Sequence, residues 1–236
     1  MTEKNLLIAT TNQGKVREIK RLLQGLRLQI HSLKDHPSYG RYEEKGETFE
    51  ENSRGKSLFY SRLCPGLVLA EDSGLEVQAL GGAPGVYSAR FSDPGATDQK
   101  NIIKLLKLLE NVPGKQRRAR FISAVTLSSA GRVIKTFKGV VRGKITMEPR
   151  GKSGFGYDPV FFHPPSGKTF AELPPAEKNQ VSHRGQALGK VRRFLFEYLK
   201  KNSDRVIKSK KKNKIKRGKG KQTLTKKRKC KSTLTC

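Results

Sequence analysis

The opening of the chain constrains its fold more than any other stretch. Asn5-Leu6-Leu7-Ile8-Ala9-Thr10 is a short apolar run that reads as a buried strand. Thr10-Thr11-Asn12-Gln13-Gly14 makes a polar turn, and Val16, Ile19, Leu22 and Leu23 then recur at helical spacing, so a helix starts near Lys15. Strand, glycine turn and helix open a βα unit.

The pattern continues. Residues 38–50 are polar and acidic and read as a loop, followed by a helix from about Thr48 to Leu63. A second apolar run, Gly66-Leu67-Val68-Leu69-Ala70, ends at Glu71-Asp72-Ser73-Gly74. Gly81-Gly82-Ala83-Pro84-Gly85 is a dense turn. Ile102, Ile103, Leu105, Leu106 and Leu109 mark a helix capped near Thr97 or Asp98. Residues 119–128 and 133–145 read as two long strands joined at Ser129-Ala130-Gly131, with Phe121, Val125 and Leu127 on one face. Tyr157 to Phe162 is a further strand candidate, and a last helix runs from about Arg184 to Tyr198.

Charge divides the chain. The formal net charge is +30, and residues 200–236 alone hold 17 Lys or Arg against one Asp. Lys210-Lys211-Lys212 and Lys226-Lys227-Arg228-Lys229 stand out there, with few apolar residues and no aromatics. Such a segment buries too little surface to offset its ordering entropy and is expected to be a disordered tail. The expected organisation is therefore a mixed α/β domain over 1–199 and a basic tail over 200–236. The tail is either a solvated extension or a nonspecific binder of nucleic acid or another anionic surface. No apolar run approaches the ~20 residues that cross a bilayer. Three cysteines cannot build a disulfide framework, and none is spaced for zinc. The chain reads as a soluble, reduced, cytoplasmic protein.

Several segments could carry chemistry. Thr10 to Lys15 lies between a strand and a helix, where backbone N–H groups attract phosphate and a lysine adds full charge; it also fits a plain βα turn. Glu71-Asp72 follows a buried strand, where open α/β sheets bind ligands, and magnesium takes a couple of carboxylates plus phosphate oxygens and water. Tyr42-Glu43-Glu44-Lys45-Gly46-Glu47 could supply another acid, or be an exposed loop. Ser153-Gly154-Phe155-Gly156-Tyr157-Asp158-Pro159 sets two aromatics among glycines, suited to stacking a base or to a tight turn whose aromatics belong to the core. Lys178-Asn179-Gln180-Val181-Ser182-His183-Arg184 gathers donors before the final helix, as ligand contacts or as a cap and surface charges.

The order of these motifs is more telling than any one of them. Thr-Thr-Asn-x-Gly-Lys, Glu-Asp-Ser-Gly-Leu, Leu-Gly-Gly-Ala-Pro-Gly-Val-Tyr-Ser-Ala-Arg, Gly-Phe-Gly-Tyr-Asp-Pro and Glu-Lys-Asn-x-x-Ser-His-Arg follow one another from residue 10 to residue 184. That series strongly resembles the inosine/xanthosine triphosphate pyrophosphatase family, over about Leu6 to Leu199. The resemblance implies an elongated α/β fold, a mixed sheet with flanking helices and a central nucleotide-binding cleft, usually homodimeric. It implies magnesium-dependent hydrolysis of ITP, dITP and XTP to the monophosphate and pyrophosphate. It assigns Thr10, Thr11, Asn12, Gln13, Gly14 and Lys15 to the phosphate loop, Asp72 to catalysis and metal binding, Glu43 to the metal, and Ser73 to substrate. Phe155, Gly156, Tyr157 and Asp158 would wall the base pocket, Lys178, His183 and Arg184 would close it, and Lys56 would reach the triphosphate. Residue 71 is Glu where many relatives have a second aspartate, a departure expected to have little consequence. The alternative function is a nucleic-acid-binding protein acting through the basic tail.

Overall fold

In the computed structural model, which describes residues 4–201, seven strands form one sheet in the order β2-β1-β3-β4-β5-β6-β7. The strands are β1 (Lys4–Ile8), β2 (Leu28–Ser32), β3 (Leu67–Val77), β4 (Arg118–Ser129), β5 (Arg132–Ile145), β6 (Phe161–His163) and β7 (Lys168–Thr169). Pairing is parallel for β1 with β2 and with β3, and antiparallel across the rest. The helices are α1 (Gln13–Leu23), α2 (Phe49–Leu63), α3 (Asp98–Leu108), α4 (Pro175–Val181) and α5, over residues 183–201. Residues 4–193 group as one unit that contains the whole sheet, and the described residues from Phe194 to Lys201 fall outside it. The expected boundary at residue 199 falls at the end of α5, and the proposed tail beyond residue 201 lies outside the described residues.

The predicted βα opening is present. Asn12 caps α1 by accepting from Lys15 N at 3.0 Å, and Val16, Ile19 and Leu23 are buried. Thr48 and Glu51 form a reciprocal capping box at the start of α2. Between Phe49 and Tyr60, the inner face of α2 meets β4 with small hydroxyl residues. Ser53 Oγ meets Thr126 Oγ1 at 2.9 Å, and Ser57 Oγ meets Ser128 Oγ at 2.6 Å. Short side chains let the helix lie close on β4, and mutual hydrogen bonds offset the burial of the hydroxyls.

Two expectations need correction. Glu71-Asp72-Ser73-Gly74 does not end a strand; it lies inside β3, which is 11 residues long. The strand that ends there is its neighbour: Ile8 of β1 pairs with Leu69 and is the last residue in register. Beyond Leu69 that edge of β3 has no β1 partner, and this opens a cleft at the carboxyl end of β1. Tyr157 to Phe162 is not a strand throughout. Residues 157–160 form a turn, with Val160 N and Phe161 N both donating to Tyr157 O, and β6 begins only at Phe161. The glycines on its amino side, with Gly154 at φ +85° and Gly156 at φ +61°, fold the segment back before it can extend.

Candidate active site

Strand geometry divides the roles of the two acids on β3. Successive side chains point to opposite faces, so Glu71 and Asp72 face different partners although they are adjacent. Asp72 turns toward α2, where Asn52 Nδ2 donates to its Oδ2 at 3.1 Å; its Oδ1 accepts from Ser73 N at 2.9 Å. Asn52 is itself fixed, accepting from Gly46 N at 2.7 Å and donating to Gly46 O at 3.3 Å. Burial, together with the nearby Glu44 carboxylate, holds the Asp72 carboxyl above its ordinary range against the opposing pull of Lys15 and Lys56.

Glu71 turns the other way and is fully buried. Arg184 Nε reaches both of its oxygens, at 2.8 and 3.0 Å, Ser123 Oγ donates at 2.8 Å, and Lys15 Nζ stands 4.0 Å away. Against the cost of burial, Arg184 and Lys15 hold this carboxyl well below the usual range. Its carboxylate is engaged by Arg184, so Glu71 is an anchor here and not a spare metal acid.

The predicted closing group is assembled around the base of α1. Arg184 Nη1 donates to Glu18 Oε2 at 2.5 Å and Nη2 to Ser73 Oγ at 3.1 Å. Lys178 Nζ bonds Glu18 Oε1 at 3.0 Å and Asp158 Oδ2 at 2.6 Å. Both cations lie over the Phe155 ring, at 5.0 and 5.2 Å from its centroid. His183 stacks on Phe121 at 4.6 Å and is buried, and its Nδ1 has no hydrogen-bond partner. Burial and the adjacent Arg184 push that imidazole well below its ordinary pKa, so it is neutral at pH 7.

The phosphate-loop residues sit at the mouth. Thr10 Oγ1 accepts from Asn12 N, Gln13 Nε2 donates to Thr11 O, and Lys15 is half-buried beside Glu71. Residue 14 must be glycine here, because a Cβ would come 2.8 Å from the Phe155 ring. The phosphate loop and the base wall are thus in contact.

A cleft of about 1360 Å³ joins these groups, lined by Thr10, Thr11, Asn12, Lys15, Glu43, Glu44, Lys56, Asp72, Ser73, Phe155, Gly156, Tyr157, Asp158, His183 and Arg184 among others. Gln13, Gly14 and Lys178 do not line it; Gln13 is exposed and Lys178 is buried. Four of the predicted residues that line the cleft also have partners within the protein. Tyr157 is buried, and its hydroxyl donates to Ser88 O at 2.9 Å. Asp158 accepts from Phe155 N and Lys178, which fixes the loop. Lys56 is ion-paired with Glu44. Glu43 is 79% exposed on its side chain and pairs with Lys45 at 2.8 Å.

A divalent cation fits the donors present. Each Asp72 oxygen has a single hydrogen bond and keeps a lone pair free, in a place where burial disfavours the bare charge. Among the described residues no three His, Cys, Asp or Glu side chains cluster as a metal site. Magnesium does not need three, since phosphate oxygens and water complete its shell. The Glu43–Lys45 pair lies at the surface, where water and salt screen the attraction, so Glu43 is released at little cost.

Two site residues lie outside the sequence reading. Glu18 bridges Lys178 and Arg184; its signal is its place three residues after Lys15, on the same side of α1. Asn52 holds Asp72; its signal is its place three residues after Phe49 and four before Lys56, on the buried face of α2.

Comparison with known proteins places the chain in a family. Residues 6–194 match the Ham1 family. The dITP/XTP pyrophosphatase of Geobacter sulfurreducens is 48% identical over 190 residues, covering 80% of this chain and 96% of that protein. The enzyme of the same name from Geobacillus kaustophilus is 47% identical, covering 80% and 92%. Among solved structures, a HAM1 protein from Coxiella burnetii superposes with a TM-score of 0.76 at 38% identity, covering 82% of this chain and 99% of that one.

Proposed function

Because this chain belongs to the Ham1 family, we propose that it hydrolyses the nonstandard purine nucleoside triphosphates ITP, dITP and XTP to the monophosphate and pyrophosphate. It clears them from the cytoplasmic nucleotide pool, acting as a magnesium-dependent homodimer. The observation that carries this reading is the reach of Arg184. One guanidinium lies over Phe155, bonds Ser73 and grips Glu71, the residue next to Asp72. Base wall and catalytic carboxylate therefore belong to one hydrogen-bonded unit.

The triphosphate enters with its phosphates at the α1 amino terminus and Lys15. Asp72 holds a water in line with the α phosphorus and accepts its proton as the oxygen attacks. The bond from the α phosphorus to the bridging oxygen breaks, and pyrophosphate departs. Asp72 and Glu43 would hold a magnesium ion, which would supply charge neutralisation on the triphosphate when bound. No covalent intermediate is required.

Base selectivity follows from donors left over. A guanidinium has five donors, so Arg184, which lines the cleft, keeps two beyond its bonds to Glu71, Glu18 and Ser73. A 6-keto oxygen satisfies such donors; the amine of adenine does not. An unmatched buried polar group costs roughly 1–3 kcal/mol, and two of them give about a hundredfold or more. With magnesium, ITP, dITP and XTP should release pyrophosphate at least about a hundredfold faster, as kcat/KM, than ATP. Pyrophosphate release measured over these four with dUTP and TTP, with and without the metal, tests this. Equal turnover of ATP, or preference for a pyrimidine, contradicts it.

A further inference from the structure

The sheet face that carries α2 is not covered to its end. Phe49, at the helix amino terminus, packs with Ile122, Ala124, Val86 and Val140. Past that cluster, β4 and β5 continue on the same face with Arg120 opposite Arg142 and Arg118 opposite Lys144. All four are exposed. Like charges directly opposite on paired strands are destabilising, yet one acid answers four cations: Arg120 Nη2 meets Glu76 at 2.6 Å. The side chains of Arg118, Arg142 and Lys144 make no ion pair or hydrogen bond among the described residues. The next strand adds an aromatic, for Phe162 of β6 pairs with Lys144 and is only half-buried, whereas its neighbour Phe161 is in the core.

We propose that this face, with Arg118, Arg142, Lys144 and Phe162, binds single-stranded nucleic acid. Cations about 7 Å apart along each strand track a sugar–phosphate backbone. The Phe162 ring offers a base a surface to stack on, as open sheet faces with aromatics do. A second copy of the chain does not suit the face, since a two-fold contact would set the same cations against each other. A duplex satisfies the cations but has no unstacked base for Phe162. The face is distinct from the nucleotide cleft, whose lining contains none of these residues.

The test uses the full chain and a fluorescein-labelled oligothymidylate of about 20 nucleotides, with affinity read by anisotropy across a salt series. The triple variant Arg118→Gln, Arg142→Gln, Lys144→Gln should bind at least about tenfold more weakly near 0.1 M salt. Its log–log salt slope should be shallower by about 2, at ~0.7 for each phosphate no longer neutralised. Phe162→Ala should weaken binding about tenfold with the slope unchanged. ITP hydrolysis should be unaltered in both, and the triple variant should melt no lower than the parent, because the substitutions relieve repulsion. Wild-type affinity and slope in the triple variant would overturn the proposal and assign the binding to other basic residues. A loss in the triple variant with none in Phe162→Ala, or stronger competition by an unlabelled duplex than by the single strand, would overturn the single-strand assignment.

Discussion

Asp72→Asn should lower kcat for ITP by about 10²–10⁴-fold, the range that a positioned acid–base group contributes, while the protein folds as before. The substitution keeps the volume and still lets Asn52 donate to residue 72, but it removes the atom that takes the proton and one ligand of the metal. Burial disfavours the Asp72 charge, so unfolding by urea should show stability unchanged or slightly raised. That split, activity lost while stability is kept, separates a chemical role from a structural one. A variant with more than a tenth of wild-type turnover would move the catalytic role elsewhere.

Glu71→Ala has the opposite signature. It leaves the guanidinium of Arg184 and the ammonium of Lys15 facing each other, with Glu18 on Arg184 and Asp72 and Glu44 near Lys15 but no acid between them. Removing one partner of a buried ion pair costs about 3–5 kcal/mol, so the urea midpoint should fall steeply. Activity should fall as well, because Arg184 is then free to leave Phe155 and Ser73. Glu71→Gln keeps the shape and some of the hydrogen bonds and should fall between the two. A loss below about 1 kcal/mol in Glu71→Ala would mean that water screens the pair, against the full burial of the carboxylate.

The contrast between these neighbours shows what a sequence can and cannot reveal. The βα opening, the cap at Thr97 and the hairpin around Ala130-Gly131 are legible because each depends on local backbone chemistry. The family resemblance rests on short motifs in order, and those motifs converge on the cleft. Which acid of Glu71-Asp72 does the chemistry is not visible in spacing, since it depends on where β1 stops. Glu71, expected to be a substitute of little consequence, is the anchor of Arg184, and a Glu has the length to meet Nε with both oxygens. Tyr157 illustrates the reverse case: a stacking candidate by composition, it lines the cleft but is packed among core side chains with its hydroxyl on Ser88 O. Glu18 is silent in the sequence because its partners, Lys178 and Arg184, lie 160 and 166 positions away.

In the proposed mechanism solvent attacks the α phosphorus. Hydrolysis of ITP in ¹⁸O-labelled water, with products separated and weighed by mass spectrometry, tests this directly. The label should enter inosine monophosphate and be absent from the released pyrophosphate. Label in pyrophosphate, or release of orthophosphate with a diphosphate left behind, would contradict it.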